Sequence, residues 1–132
     1  MAIAIYNLPP GGSKPLPANT VEKVAGIQLN TGNNLSPFWT VFGKVVVSNP
    51  GASPVNVVAQ LVAAPATVLD TSTATVPANG SESISLEGVP PGTAGAIFPI
   101  CVEINCKASL NANAEFARLI AISVSPASVV TC

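Results

Sequence analysis

The sequence predicts an all-β fold: a single antiparallel β-sandwich of about eight strands, jelly-roll or immunoglobulin-like, with a Pro/Gly-rich N-terminal arm. Three observations lead there. Apolar residues recur at every second position over several stretches, which is the period of a half-buried strand and not the 3.6 of a helix. Thirteen prolines and ten glycines fall largely between those stretches, where turns belong. The stretches themselves are rich in Val, Ile and Thr, whose branched side chains suit a pleated surface. At 132 residues the chain fits one domain. Composition divides it into an N-terminal strand and Pro/Gly-rich arm (1–19), a β-sandwich domain (20–125) and a C-terminal tail (126–132).

Residues 2–6 read as a short terminal strand. Residues 7–19, NLPPGGSKPLPAN, read as arm rather than sheet, because proline fixes φ and donates no ladder hydrogen bond. An apolar strand on a stiff arm suits a segment that reaches into a neighbouring subunit, where a free sheet edge would accept it. Ile3, Ile5 and Tyr6 are its candidate assembly residues. Residues 20–29 form the next strand, and NTGNNLSP at 30–37 is a loop. Residues 38–63 then read as a hairpin. Trp39, Val41, Gly43, Val45 and Val47 share one face of its first strand. After the Pro/Gly/Ser turn, Val55, Val57, Ala59, Leu61 and Ala63 share one face of its second.

Residues 67–76 are a Thr-rich strand, and Ala78-Asn79-Gly80 is a turn, since Asn-Gly tolerates positive φ. Residues 82–88 place Ile84 and Leu86 inward. The longest alternation follows. Ala96, Phe98, Ile100, Val102, Ile104, Cys106, Ala108 and Leu110 are apolar, with Cys101, Glu103, Asn105, Lys107 and Ser109 between them. A three-residue loop around Asn111-Ala112-Asn113 would return the chain as a strand over 115–125. It would set Ala108 opposite Phe116, Ile104 opposite Ile120, Val102 opposite Ile122 and Ile100 opposite Val124, and make Lys107 and Glu115 diagonal neighbours.

Composition narrows function mainly by exclusion. Charged residues make up 8% of the chain against 48% apolar, and the net charge is −1. Net charge of one sign keeps copies of a protein apart, so a chain this sparsely charged is suited to associate. The five cations, Lys14, Lys23, Lys44, Lys107 and Arg118, stand singly. Nucleic-acid binding needs several on one face, so it is not expected. No apolar run approaches the ~20 residues that span a bilayer, so no membrane insertion is expected. No signal peptide is visible in this chain. There is no histidine, which removes the commonest general base and the Ser-His-Asp and Cys-His arrangements. The carboxylates Glu22, Asp70, Glu82, Glu87, Glu103 and Glu115 stand apart and read as solvated surface charges. No paired acids, metal-ligand spacing or phosphate-cradling loop is present, so no enzyme, metal or cofactor is expected.

The three cysteines are the chemistry that remains. Cys101 and Cys106 lie an odd number of residues apart on one strand. Their side chains therefore take opposite faces, roughly 16 Å apart along the strand, beyond the ~7 Å Cα separation that a disulfide allows. Cys106 joins the apolar set and reads as a buried thiol. Cys101 faces outward and Cys132 ends the chain. An odd count leaves at least one thiol for a partner or free, so Cys101 and Cys132 are candidates for a cross-link between subunits.

The strand–NPG–strand layout of TVFGKVVVSNPGASPVNVVAQLVA, followed by TVPANGSESISLEGV, resembles bacterial extracellular adhesion and immunoglobulin-like modules. The likeness rests on Val45-x-Val47-x-Asn49-x-Gly51 and on Gly80-Ser81-x-x-Ile84-x-Leu86. Low charge and a terminal cysteine are also similar to small jelly-roll subunits of bacterial spore appendages and coats, whose N-terminal arms cross-link subunits through cysteines. Residues 1–20 here contain no cysteine, a departure from that pattern. The expected function is a non-enzymatic structural protein, a self-associating subunit of an extracellular or surface-associated filament, coat or shell, with other copies of itself as partner. The alternative is a carbohydrate- or cell-surface-binding module using the Asn/Thr-rich stretches 30–37 and 70–81.

Overall fold

The computed structural model describes residues 2–7, 12–29, 38–63, 66–90 and 100–124. They form nine strands and no helix: β1 (Ala2–Asn7), β2 (Lys14–Leu16), β3 (Val21–Leu29), β4 (Phe38–Ser48), β5 (Val55–Ala63), β6 (Thr67–Val76), β7 (Ser81–Gly88), β8 (Ile100–Ala108) and β9 (Ala112–Val124). Their pairing has a simple rule. β5 pairs with β6, β4 with β7, β3 with β8 and β2 with β9, all antiparallel. The chain is one long antiparallel ribbon whose tip is the β5–β6 hairpin. Rolling the ribbon adds the pairings β4–β9 and β5–β8. Two sheets result: sheet A, in the order β1-β9-β4-β7 with β2 also on β9, and sheet B, in the order β3-β8-β5-β6. A ribbon rolled into two facing sheets is a jelly roll, which decides against the immunoglobulin alternative.

Period-two patterning determines what each sheet buries. On β4, Trp39, Val41, Val45 and Val47 are buried, and on β5 Val55, Val57, Ala59, Leu61 and Ala63. Ile84 and Leu86 of β7, and Val102, Ile104, Cys106 and Ala108 of β8, close on them. Gly43 continues the inward row of β4. A Cβ there would lie 3.0 Å from Cδ1 of Ile104 and 3.5 Å from Cδ2 of Leu119. The missing side chain is the space that Ile104 of the facing sheet occupies, and a densely packed interior leaves little slack for filling it.

Five expectations need correction. Residues 38–63 are not a hairpin: β4 lies in sheet A and β5 in sheet B, so residues 49–54 arch between sheets. Likewise β8 and β9 lie in different sheets, and residues 109–111 are a second arch. Apolar alternation specifies which face is buried, but not which strand lies alongside. The proposed register of β9 also fails on parity. Val46 faces Phe116 while Val47 faces Ala114, a bulge at Glu115. A bulge adds one residue and exchanges the faces beyond it. The buried set on β9 is therefore Ala112, Ala114, Ala117, Leu119 and Ala121, and Phe116 and Ile120 turn outward. Lys107 and Glu115 are not neighbours, since Lys107 pairs with Val21 and Val58 in sheet B. Finally, Lys14–Leu16 is a strand despite Pro15, with Pro15 opposite Asn113 and Leu16 fully buried. Proline is admitted there because β2 is an edge strand and needs no outward donor.

Candidate assembly surfaces

A two-sheet sandwich has two open sides where edge strands would offer free backbone groups to another chain. In this chain each side is bridged by a side chain. On one side Lys14 of β2 donates through Nζ to the carbonyl of Lys23 on β3, and lies 3.9 Å from Glu22. On the other, Asp70 of β6 accepts from the backbone N–H of Glu87 on β7 at 3.0 Å through Oδ2, and from Thr71 N–H at 2.9 Å through Oδ1. Asp70 is thus a strap between the sheets rather than the solvated charge expected from its isolation in sequence. Asp70→Ala should lower the unfolding free energy by about 1–2 kcal/mol, the scale of two lost hydrogen bonds to a charged acceptor. Urea denaturation measures it, and amide exchange at Glu87 should accelerate selectively.

The end of the sandwich formed by residues 17–20, 49–54, 77–80 and 109–111 is knitted by hydrogen bonds. Asn49 N–H donates to Gly80 O at 2.9 Å, Asn79 N–H to Gly51 O at 3.2 Å, Asn19 N–H to Ala108 O at 2.7 Å and Ser109 N–H to Asn56 O at 2.9 Å. At its centre sits Asn49, the one buried polar residue among those described. Its Nδ2 donates to Ser53 O at 2.7 Å and to Val76 O at 3.2 Å, while its Oδ1 accepts from Gly51 N–H at 2.9 Å. The Asn-Pro-Gly triplet is therefore the device that turns the chain from sheet A into sheet B and seats the arch on the end of β6. Asn79 takes φ 55° in the 77–80 turn, and Gly80 N–H closes that turn on Pro77 O at 3.0 Å.

The two outer faces differ in chemistry. On sheet B one row is polar and the next is mixed. Lys23 faces Asn105, which faces Gln60, which faces Thr71, and the next row carries Val21, Lys107, Val58 and Thr73. Thr75 Oγ1 donates to Asn56 Oδ1 at 3.0 Å in a third. On sheet A two apolar rows flank a polar one. Phe42 stands between Ile120 and Glu87, Val46 between Phe116 and Ser83, and Thr40 faces Ile122, while Lys44 stands between Arg118 and Ser85. Phe42 is 42% exposed, and Ile120, Ile122, Phe116 and Val46 are half-buried. Arg118 lies over the Phe116 ring, 5.4 Å from its centroid, in cation–π range.

The sequence-selected residues are dispersed. Ile3, Ile5 and Tyr6 lie on β1, in register with Ile122, Ile120 and Leu119 of the same chain. Cys101 is exposed on the outer face of sheet B, opposite Gln28 on β3, and carries a free thiol. It borders an open groove of about 490 Å³ along β3, whose lining includes Lys14 and Lys23. Cys106 is fully buried on the opposite face of the same strand, and burial pushes its thiol up to about 12. Cys132 lies outside the described residues, as does the stretch 30–37. The stretch 70–81 is the end of β6, a hydrogen-bonded turn and the start of β7. Trp39 is core, and its Nε1–H has no partner among the described residues. No three of His, Cys, Asp and Glu come together among the described residues as a metal would require. What sequence reasoning missed is Phe42. Its parity, opposite to Trp39 on the same strand, was the available signal for a large apolar residue on the outside.

No family model and no curated protein matches the chain. Solved structures do. The chain superposes on a chain of the infectious bursal disease virus T13 viral particle with TM-score 0.58 and 11% identity, over 92% of this chain and 31% of that one. The VP2 subviral particle of that virus gives TM-score 0.58 and 9% identity, over 92% and 33%. The chain has the jelly-roll fold found in those particles. It spans about a third of the length of the viral chains it matches. A chain from the disulfide-linked pili of Bacillus endospore appendages aligns over 93% of this chain and 89% of its own, at 13% identity and TM-score 0.48. At such identities the likeness concerns fold.

Proposed function

We propose that the protein is a non-enzymatic structural subunit that self-associates into an extracellular or surface-associated filament, coat or shell. The observation that carries this reading is the outer face of sheet A, where Phe42 with Ile120 and Ile122, and Val46 with Phe116, form two apolar groups on either side of the row Arg118, Lys44 and Ser85. Contiguous exposed apolar surface with few charges is a mark of association rather than of a solitary soluble domain. Jelly rolls are also used as building blocks in viral particles such as those matched above, which agrees with the reading at the level of fold.

Two further elements belong to the proposal. The β1 segment, with Ile3, Ile5 and Tyr6, lies on the β9 edge of its own chain. The same edge would accept the β1 of a neighbouring copy, an exchange that preserves every ladder hydrogen bond. Cys101 and Cys132 would then cross-link neighbouring copies, since Cys106 is enclosed in the core. Light scattering after size exclusion, with negative-stain microscopy, tests the reading on the full chain. Assemblies larger than a monomer are expected at tens of micromolar, together with ladders on non-reducing gels that collapse on reduction and are lost in Cys101→Ser. A clean monomer at high concentration overturns the assembly reading. A single monomer band without reductant, from assembled protein, overturns the cross-link alone.

A further inference from the structure

Phe42 has charged neighbours of opposite sign on its two sides. Two residues along β4 is Lys44, itself opposite Arg118 on β9, and one strand across is Glu87 on β7, directly opposite Phe42. Beside Phe42 runs a groove of about 430 Å³ lined by Phe42, Gly43, Asp70, Ser85, Leu86 and Glu87. Its two carboxylates come from Glu87 of β7 and Asp70 of β6. Lys44 and Glu87 are both exposed, and neither is in an ion pair with another described residue.

Sheet geometry makes this pattern self-complementary. Lys44 is about 6.8 Å from Phe42 along the strand and Glu87 about 4.8 Å from it across the sheet. The two steps are similar in length, so Phe42 is nearly equidistant from the two charges. An in-plane two-fold axis that exchanges the Lys44 and Glu87 positions therefore passes within about 1–2 Å of the Phe42 position, by the same spacings. In a pair related by that axis, Phe42 meets Phe42 and each Lys44 lies over the acidic rim of the other copy's groove. Such a patch, matching itself under a two-fold operation, is what an isologous dimer requires. The strands of the two copies cross steeply, in the orthogonal class of sheet packing.

We infer that the outer face of sheet A docks on the same face of a second copy about a two-fold axis at Phe42, with Lys44 paired to the Glu87–Asp70 groove of that copy. The inference rests on the self-association proposed above and names its surface, partner and symmetry. The size is adequate. Four strands about 4.8 Å apart and about eight residues long at 3.4 Å each present roughly 500 Å² per copy, or about 1,000 Å² in all, near the lower limit of specific interfaces. On the outer face of sheet B the exposed valines Val21 and Val58 lie on either side of Lys107, and no aromatic residue stands there among the described residues.

Sedimentation equilibrium on the full chain tests this with four variants. Phe42→Glu should abolish the dimer step, and circular dichroism should show it folded. Lys44→Glu places like charges against the groove and should weaken the dimer by about tenfold or more, as unpaired charges at an interface do. Lys44→Glu combined with Glu87→Lys restores opposite charges across the axis and should return the dimer to within about threefold of wild type, a recovery expected only if the two positions meet across the interface. Val58→Glu, on sheet B, should change nothing. Wild type that is monomeric at all concentrations overturns the self-association reading and this inference together. Wild type that associates while Phe42→Glu associates equally, or while the double exchange fails to rescue, overturns this surface alone.

Discussion

Asn49→Asp should destabilise the protein by about 3 kcal/mol at neutral pH, the combined scale of one buried and one part-buried acceptor losing their donor to a carboxylate. The substitution changes one nitrogen into one oxygen, and the site turns on that atom. Nδ2 is the donor to Ser53 O and Val76 O, at 2.7 Å and 3.2 Å, and no other side chain among the described residues donates to either carbonyl. A carboxylate would set a negative oxygen against two carbonyl oxygens in a residue only 2% exposed. The introduced carboxyl would escape by holding its proton, so its folded pKa would lie above its unfolded value. For a raised pKa, stability is complete below the unfolded value and declines as pH rises through the folded one. The loss should therefore be smallest near pH 4 and largest near pH 8. Urea titrations at the two values measure the difference, and a pH-independent loss would contradict this account of the arch. Asn49→Leu, which removes the same donor without adding charge, should be destabilised at both.

Alkaline pH should weaken the fold through Cys106. Its thiol is pushed from 9.0 to about 12 by burial, because the interior disfavours the thiolate. Between those values the unfolded chain releases the proton and the folded chain keeps it, so unfolding becomes easier as pH rises. Stability is complete below pH 9 and falls by up to about 1.4 kcal/mol per pH unit towards pH 12, or about 2–3 kcal/mol by pH 11. The comparison that isolates this thiol is with Cys106→Ala. That variant begins less stable, for want of a buried side chain, but lacks the thiol. The gap between the two proteins should narrow from pH 8 to pH 11. Parallel curves would mean that Cys106 does not set the alkaline limit.

These two sites show what was legible in the sequence and what was not. The inward rows of β4, β5 and β8 could be read residue by residue, because a half-buried strand must alternate and a bulge-free strand keeps its parity. On β9 the reading failed at Glu115, where one extra residue exchanged the faces of everything after it. Strand partners were not legible at all. The apolar rows of β8 and β9 fit one another across a tight turn as well as they fit their true neighbours, and only the closure of the whole ribbon separates the cases. Asn49 could be seen as part of a turn, but its burial depends on the end of β6, which lies 27 residues away. Asp70 looked solitary because its partner is a backbone amide, which leaves no trace in side-chain spacing. Cys101 and Cys106 could be assigned to opposite faces from their separation alone, since that inference used one strand and no partner.

The rolled ribbon has a consequence for how the chain can be made. β9 comes last in chain order among the described strands and yet lies inside sheet A, between β1 and β4. Until it is added, β1 and β2 have no ladder partner and β4 offers an open edge to any strand nearby. A nascent chain can close the β5–β6 hairpin and flank it with β4 and β7, but sheet A cannot be completed until β9 has emerged. Pairings between strands far apart in sequence are also slow to form, because the intervening loop must first be closed. The exposed interval therefore lasts until β9 is in place, and exchange of β1 between copies is easiest within it. An assembly made of such subunits would be built most readily while its subunits are still finishing their own fold.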